Sequence, residues 1–244
     1  MPYRKILFEK GQAAHIISRA VIDVFRKSDD CYRFIYQFYV SNYGKRGFNV
    51  YPKDAIKAGE ALLHGEKIPS KFIIKEHPPF VHLIDFSLVI NHCHFYLVPN
   101  SENAIPIFMQ RFKNGFAKYF NSAHKRENVV FGTPYKGIKI ITEYQSSAVS
   151  RYVGIINPLD VFQPGWRENG LINQEKALRF LENFEFSSFP DRIGKRHAEI
   201  LAPKEILEQY SWGTASSRER DDFRQFVEEF LKEKSNPLQH LFLE

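Results

Sequence analysis

The sequence predicts a mixed chain of strands and helices with a helical region appended towards its C-terminal end, and three observations carry that reading. Two strongly apolar runs, Val81–Ile90 and Cys93–Val98, meet at Asn91-His92, which suits a tight antiparallel connection or neighbouring strands. Two segments, Asp29 to Tyr39 and Ala104 to Phe120, repeat apolar side chains at helical spacing. Beyond residue 158 the chain turns acidic and shows further helical periodicity. Its 244 residues, 43% hydrophobic and 25% charged, are ordinary for a globular protein with a sizeable core. No window approaches the roughly 18 consecutive apolar residues of a membrane span.

In chain order, Ala14–Arg19 reads as a short strand leading into a turn. Asp29 and Asp30 serve as N-caps for a helix through Tyr39, on the spacing of Tyr32, Ile35, Tyr36 and Tyr39. Residues 41–80 form a Gly- and Pro-containing insert with a short helix near Asp54–Leu63. The next helix, Ala104–Phe120, carries an apolar stripe through Ile105, Phe108, Met109, Phe112, Phe116 and Phe120, and a polar face with Arg111, Asn114 and Lys118. Gly132-Thr133-Pro134 breaks the chain before a strand, Tyr135–Ile141. A further helix, Gln145–Ile156, is stopped by Asn157-Pro158, because proline lacks an N–H and restricts the residue before it. A helix at Pro203–Tyr210 and another through Phe223, Phe226, Val227, Phe230 and Leu231, capped by Ser217, complete the pattern. The resulting division is residues 1–160 as one domain, with the 41–80 insert, and 161–244 as a helical C-terminal extension.

Charge is distributed unevenly. Residues 1–158 hold 22 Lys and Arg against 12 Asp and Glu, whereas residues 159–244 hold 12 against 16. A basic first two-thirds, with a sequence pI of about 9.1, is the electrostatic profile of a nucleic-acid binder or of a plain solvated basic surface. Arg19, Arg111, Lys113, Lys118 and Lys136 are the expected phosphate contacts, and Tyr135 is placed to stack on an unpaired base. The insert adds Lys45, Arg46, Lys53 and Lys57. The last two helices flank Gly213 in helix-turn-helix fashion, but their acidic balance favours packing against the core. Two cysteines, Cys31 and Cys93, supply neither a disulfide framework nor a cysteine zinc site. With no secretory pattern in the first residues, a cytoplasmic protein is expected, nucleoid-associated when bound to DNA.

The most pointed local feature is Asn91-His92-Cys93-His94 opening an apolar strand. Alternation places His92 and His94 on one face and Cys93 on the other, about 6–7 Å apart at 3.3 Å per residue, near enough to converge on one metal ion. The bland alternative is a half-exposed pair at a strand end.

The order of features resembles that of the single-tyrosine HUH transposases of bacterial insertion sequences and their REP-associated relatives. Leu88-Val89-Ile90-Asn91-His92-Cys93-His94-Phe95-Tyr96-Leu97-Val98-Pro99 looks like the family's histidine strand, and His15–Arg19 resembles its first strand. A helix carries Arg151-Tyr152-Val153 and leads to Asn157-Pro158, and Phe186-Ser187-Ser188-Phe189 is similar to a Trp-Ser-Ser-Tyr segment downstream. The likeness spans about residues 12–210. It implies a ferredoxin-like α+β catalytic domain, a divalent metal (Mg²⁺ or Mn²⁺) on His92 and His94, and single-stranded or hairpin DNA as the partner. It further implies a homodimer in which the nucleophile helix docks on the other subunit's metal site. Tyr152 is the implied nucleophile, attacking a DNA phosphate to give a 5′-phosphotyrosine, with Tyr135 and Tyr144 as lesser alternatives. One departure stands out. The family carries a third ligand four residues after the tyrosine, whereas here that position is Ile156 and the first amide, Asn157, falls one residue later. On an ideal helix that residue faces elsewhere, so Asn157 is the implied third metal ligand where the helix end unwinds before Pro158, and otherwise the third ligand is missing. Two alternatives to a transposase therefore remain: a DNA-hairpin binder that has lost catalysis, and an RNA-directed binding module or phosphodiesterase.

Overall fold

The computed structural model describes residues 7–210, so the helix expected at 217–231 lies outside the described residues. Strand β1 (Ala14–Arg19) leads to α1 (Ser28–Tyr43), and an insert follows, made of β2 (Gly44–Arg46), α2 (Pro52–Leu63) and β3 (Ile73–Lys75). The chain then forms β4 (Val81–Val89), β5 (His92–Pro99), α3 (Ala104–Ala123) and β6 (Lys136–Lys139). The main sheet is four-stranded and antiparallel in the order β4-β5-β1-β6. That is the split βαβ order of a ferredoxin-like domain, with β5 inserted between the parallel strands β1 and β4. β2 and β3 pair separately as a small antiparallel ribbon.

Each strand buries one side-chain set on each face, as a period of two dictates. Cys93, Phe95 and Leu97 of β5 join Ala14 and Ile16 of β1 in a core closed by Phe34 and Phe38 of α1 and Phe108, Phe112 and Phe116 of α3. Both cysteines lie buried there as free thiols, and burial pushes the Cys93 thiol up to about 12. α1 begins with Lys27 as N-cap, not Asp29 or Asp30, which sit in the first turn where the helix dipole favours them. It also runs one turn past Tyr39. α2 packs on α1 through Gly59, where a Cβ would collide with the Tyr32 carbonyl.

The other face is covered by one nearly continuous helical stretch. α4 (Glu143–Arg151) starts at a complete capping box, in which Thr142 Oγ1 accepts from the Gln145 N–H and Gln145 reaches back to the Thr142 N–H. It passes into one π-helical segment, Tyr152–Ile156, and continues as α5 (Asn157–Phe162). The helix therefore does not stop at Asn157-Pro158. A proline ring clashes with the carbonyl four residues earlier, and Pro158 has no N–H to donate. The wider π turn, closed by Asn157 N–H to Tyr152 O, relieves both conflicts.

Among the described residues four further helices, α6 (Trp166–Asn169), α7 (Gln174–Asn183), α8 (Phe189–Arg192) and α9 (Lys204–Leu207), lie beyond α5. Trp166, Ala177, Leu181, Phe189 and Ala202 share a second core with Tyr96, Ile84, Val153 and Ile156. Phe186–Ser188 runs along the outer edge of β4, where Leu88 N–H donates to Phe186 O and Ser188 N–H to Phe86 O. No described helix is long and apolar enough to cross a membrane.

Candidate active site

Three histidines come together on the π-helix face of the sheet. His15 on β1 faces Tyr96 of β5, two residues along the ladder from the Ile17–His94 pair and on the same face. Its Nε2 lies 3.1 Å from His94 Nδ1, with the rings stacked at 5.3 Å. His92 and His94 project from the same face as expected, their ring centroids 5.0 Å apart. The β4–β5 turn that presents His92 is tight, and Ile90 takes a φ of +34° in it, which a β-branched residue adopts only under constraint. His92 Nδ1 meets Asn91 Oδ1 at 2.9 Å.

His94 is completely buried, and its Nε2 finds no hydrogen-bond partner among the described residues. Burial first, then the charges of His15, His92, Arg167 and Arg19, hold its pKa well below the usual imidazole range, so it is neutral at pH 7. In the tautomer where Nδ1–H donates to His15, the Nε2 lone pair is left for another ligand. Metal-bound imidazoles are held in this way, the second nitrogen oriented by a hydrogen bond.

Tyr152 opens the π turn directly over this group. Its buried ring stands 5.7 Å from both His15 and His94, edge-on to each. The tyrosine and both imidazoles thus meet within one chain. Arg167 covers the arrangement: its guanidinium lies 5.4 Å from the Tyr152 ring centroid, is paired with Asp160 at 2.5 Å, and donates to Asn157 Oδ1 at 3.2 Å. Tyr152 and Asn157 therefore sit on the same side of the helix. In an i→i+5 ladder the fifth residue stands one turn above the first, where the fourth stands in an α-helix. Asn157 Oδ1 is engaged by Arg167, and its buried Nδ2 has no partner among the described residues.

A buried polar network locks the helix to the sheet beneath Tyr152. A bulge in β4 makes Ile84 an extra residue and brings Asp85 onto the histidine face opposite Tyr96. Asp85 accepts from Ser188 Oγ at 2.7 Å, from Arg192 Nη2 at 2.9 Å and from Ser150 Oγ. Burial raises the Asp85 pKa, while Arg192 and the two hydroxyls act against the rise. Ser146 and Tyr96 bond one turn earlier on the helix.

The expected DNA contacts divide between the two faces. Arg19 and Lys136 are exposed on the histidine face, since Arg19 pairs with His92 and Lys136 with Ile17. Arg111, Lys113 and Lys118 are carried by α3 on the opposite side of the sheet. Lys113 is tied to the Thr133 carbonyl at 2.8 Å, and Tyr135 packs against the phenylalanine core. Tyr144 is exposed in the first turn of α4 and does not join the histidines. Sequence reasoning passed over Asp85, whose signal was a lone carboxylate inside an apolar strand, and over Arg167, for which the sequence holds no signal. Among the described residues no group of three or more His, Cys, Asp or Glu side chains is arranged to hold a metal.

No protein-family model matches the sequence, and no curated protein matches it. Among solved structures, a REP-associated tyrosine transposase bound to a REP hairpin is similar at 11% identity and a TM-score of 0.45, over 88% of this chain and 97% of that one. A likeness that distant assigns neither a residue nor an activity to this chain.

Proposed function

We propose that this protein is a DNA strand-cleaving and strand-transferring enzyme in which Tyr152 is the nucleophile, acting on single-stranded or hairpin-tipped DNA. The observation that carries the reading is the meeting of the Tyr152 ring with His15 and His94 in one buried group, above a His94 Nε2 with no partner among the described residues. Such a nitrogen costs free energy to bury and suits a ligand.

In the cleavage step the Tyr152 Oη–P bond forms and the P–O3′ bond breaks, leaving a 5′-phosphotyrosine and a strand with a 3′-hydroxyl. The phenol releases one proton and the 3′ oxygen takes one up, so neither water nor net proton is consumed and the reverse step rejoins strands. His92 and His94 are the residues that would hold a divalent cation, Mg²⁺ or Mn²⁺, and Asn157 would add its oxygen once Arg167 releases it. Such a cation, when bound, stabilises negative charge on the phosphate. His15 fixes the orientation of His94, and Arg19 and Lys136 supply positive charge beside the site. Tyr152 is sealed from solvent, so a DNA strand reaches it by displacing the Arg167 cover. The tyrosine meets His15 and His94 within one chain.

A second reading, a DNA-hairpin binder without catalysis, is favoured by the engagement of Asn157 by Arg167 and the burial of Tyr152. One experiment separates the two. A labelled pool of single-stranded, hairpin-bearing oligonucleotides with Mn²⁺ is expected to give an adduct that survives boiling in SDS and maps to the Tyr152 peptide by mass spectrometry. Tyr152→Phe should abolish it. An adduct that persists in that variant removes Tyr152 as nucleophile, and hairpin binding without any wild-type adduct establishes the binder.

A further inference from the structure

A groove of about 770 Å³ lies on the far side of the sheet from Tyr152, along the outer surface of α1 and α3 and walled by β2 and α2 of the insert. Helices α1 and α3 approach closely at its floor through Gly115, where a Cβ would collide with the Gln37 side chain. Its lining is strongly one-signed. Arg33, Lys45, Arg46, Arg111 and Lys118 face a single carboxylate, Glu76, which Lys45 already holds at 2.7 Å. The small ribbon thus brings Lys45 and Arg46 of the insert against the basic face of α3.

Arg33 is the unusual member. It is only 6% exposed, yet it forms no ion pair among the described residues. Its guanidinium donates to Gln37 Oε1 at 3.1 Å and lies between the rings of Tyr36 and Tyr119, 5.1 and 4.9 Å from their centroids. Burial lowers its pKa to about 10, with nearby Arg46 adding to the fall. By contrast Arg192 and Arg196, both only partly buried, are each paired with an aspartate. A desolvated cation without a counter-charge is costly, and the cost is recovered when an anion arrives.

We propose that this groove is a second polyanion site, in which a phosphate group seats on Arg33 and the phosphodiester backbone of a nucleic acid runs across Arg46, Arg111 and Lys118. It rests on the proposed DNA function only for the choice of nucleic acid as the source of phosphate, since nothing in the groove touches Tyr152 or the histidines. The insert residues 44–76 therefore serve to build this site.

The test uses the full chain and a short labelled DNA duplex, with fluorescence anisotropy across a salt series. Arg46→Glu and Lys118→Glu change exposed side chains and are expected to leave the thermal midpoint unchanged. Together they should weaken binding on the order of tenfold or more and flatten the slope of log K against log salt by about 2, roughly 0.9 for each lost phosphate contact. Arg33→Lys, which keeps the charge and loses the planar fork, should weaken binding with a smaller change in slope. Tyr152→Phe should bind the duplex as wild type does, and adduct formation on a short single strand should survive Arg46→Glu/Lys118→Glu. The two proposals thus fail separately. Unchanged affinity and slope in the double variant overturn the site. Saturable binding of inorganic phosphate or pyrophosphate that is lost in Arg33→Lys, without any duplex binding, overturns the nucleic-acid assignment in favour of a free phosphorylated ligand.

Discussion

Both faces of this sheet carry an apolar core beneath their helices, and they differ in how buried polar side chains are used. On one, α1 and α3 meet each other through rings packed edge to face, such as Phe34 against Phe112 at 4.6 Å and 79° and Phe38 against Phe108 at 4.8 Å, and Phe112 meets Phe95 of β5 edge-on at 5.8 Å; Asn42 near the end of α1 adds bonds to both backbone groups of Val81. On the other, α4 and the π turn are pinned by directional bonds: Asp85 to Ser150, Ser188 and Arg192, and Tyr96 to Ser146. Apolar packing is non-directional and secures a helix against the sheet without dictating its rotation very tightly. Hydrogen bonds and buried ion pairs dictate rotation, and rotation decides whether Tyr152 faces His94. The polar face spends stability on aim.

That contrast can be broken at its strongest points first. Asp85→Ala leaves the largely covered Arg192 without its counter-charge and is expected to cost about 3 kcal/mol by denaturant unfolding. Phe112→Ala, on the ring-packed face, should cost about 3–5 kcal/mol as well, through a cavity. The two differ in rescue. Asp85→Leu combined with Arg192→Met should recover most of the loss, because the pair is replaced by packing, and should still lower adduct formation because the helix loses its azimuth. If that double variant forms adduct at the wild-type rate, the pins do not aim Tyr152.

A smaller effect sharpens the same point. Thr142→Ala removes the cap of the helix that carries Tyr152, and unfolding should report a loss of about 1 kcal/mol.

The smallest effect is on pH. His82 shares the histidine face of β4, opposite Val98, and burial lowers its pKa below the ordinary 6.5, with a bond to Asn100 opposing. The unfolded chain then binds more protons on the acid side of about pH 6.5, so this group's contribution is present above that pH and fades as pH falls beneath it. Imidazole titration by NMR should place His82 below 6.5, and His82→Gln should flatten the acid slope of the thermal midpoint slightly. A His82 that titrates above 6.5 reverses the sign.

Much of the ring-packed face was legible in the residue order. Ala14–Arg19 forms a strand over the expected span, and the stripe from Ile105 to Phe120 lies along α3, because burial repeats with the period of each element. The alternation of His92, Cys93 and His94 held for the same reason. The helical start was less legible: Asp29 and Asp30 are good caps by type, yet Lys27 occupies the cap and the aspartates take the first turn. On the polar face the helix at Gln145–Ile156 was legible, whereas the geometry of the buried network was not. Its geometry depends on one extra residue at Ile84, which turns Asp85 inwards, and on one extra residue in the turn that follows Tyr152. Neither irregularity has a repeating signature. Arg167 reaches Tyr152 from a short helix fifteen residues onward in sequence, which no local pattern announces.

The π turn has a consequence for how such chains are recognised. A sequence pattern that insists on a fixed interval between a phenol and its companion amide treats one added residue as a broken motif. Here the π turn brings Tyr152 and Asn157 to one guanidinium although they stand five residues apart. Spacing rules for helical sites are therefore better written in turns than in residues.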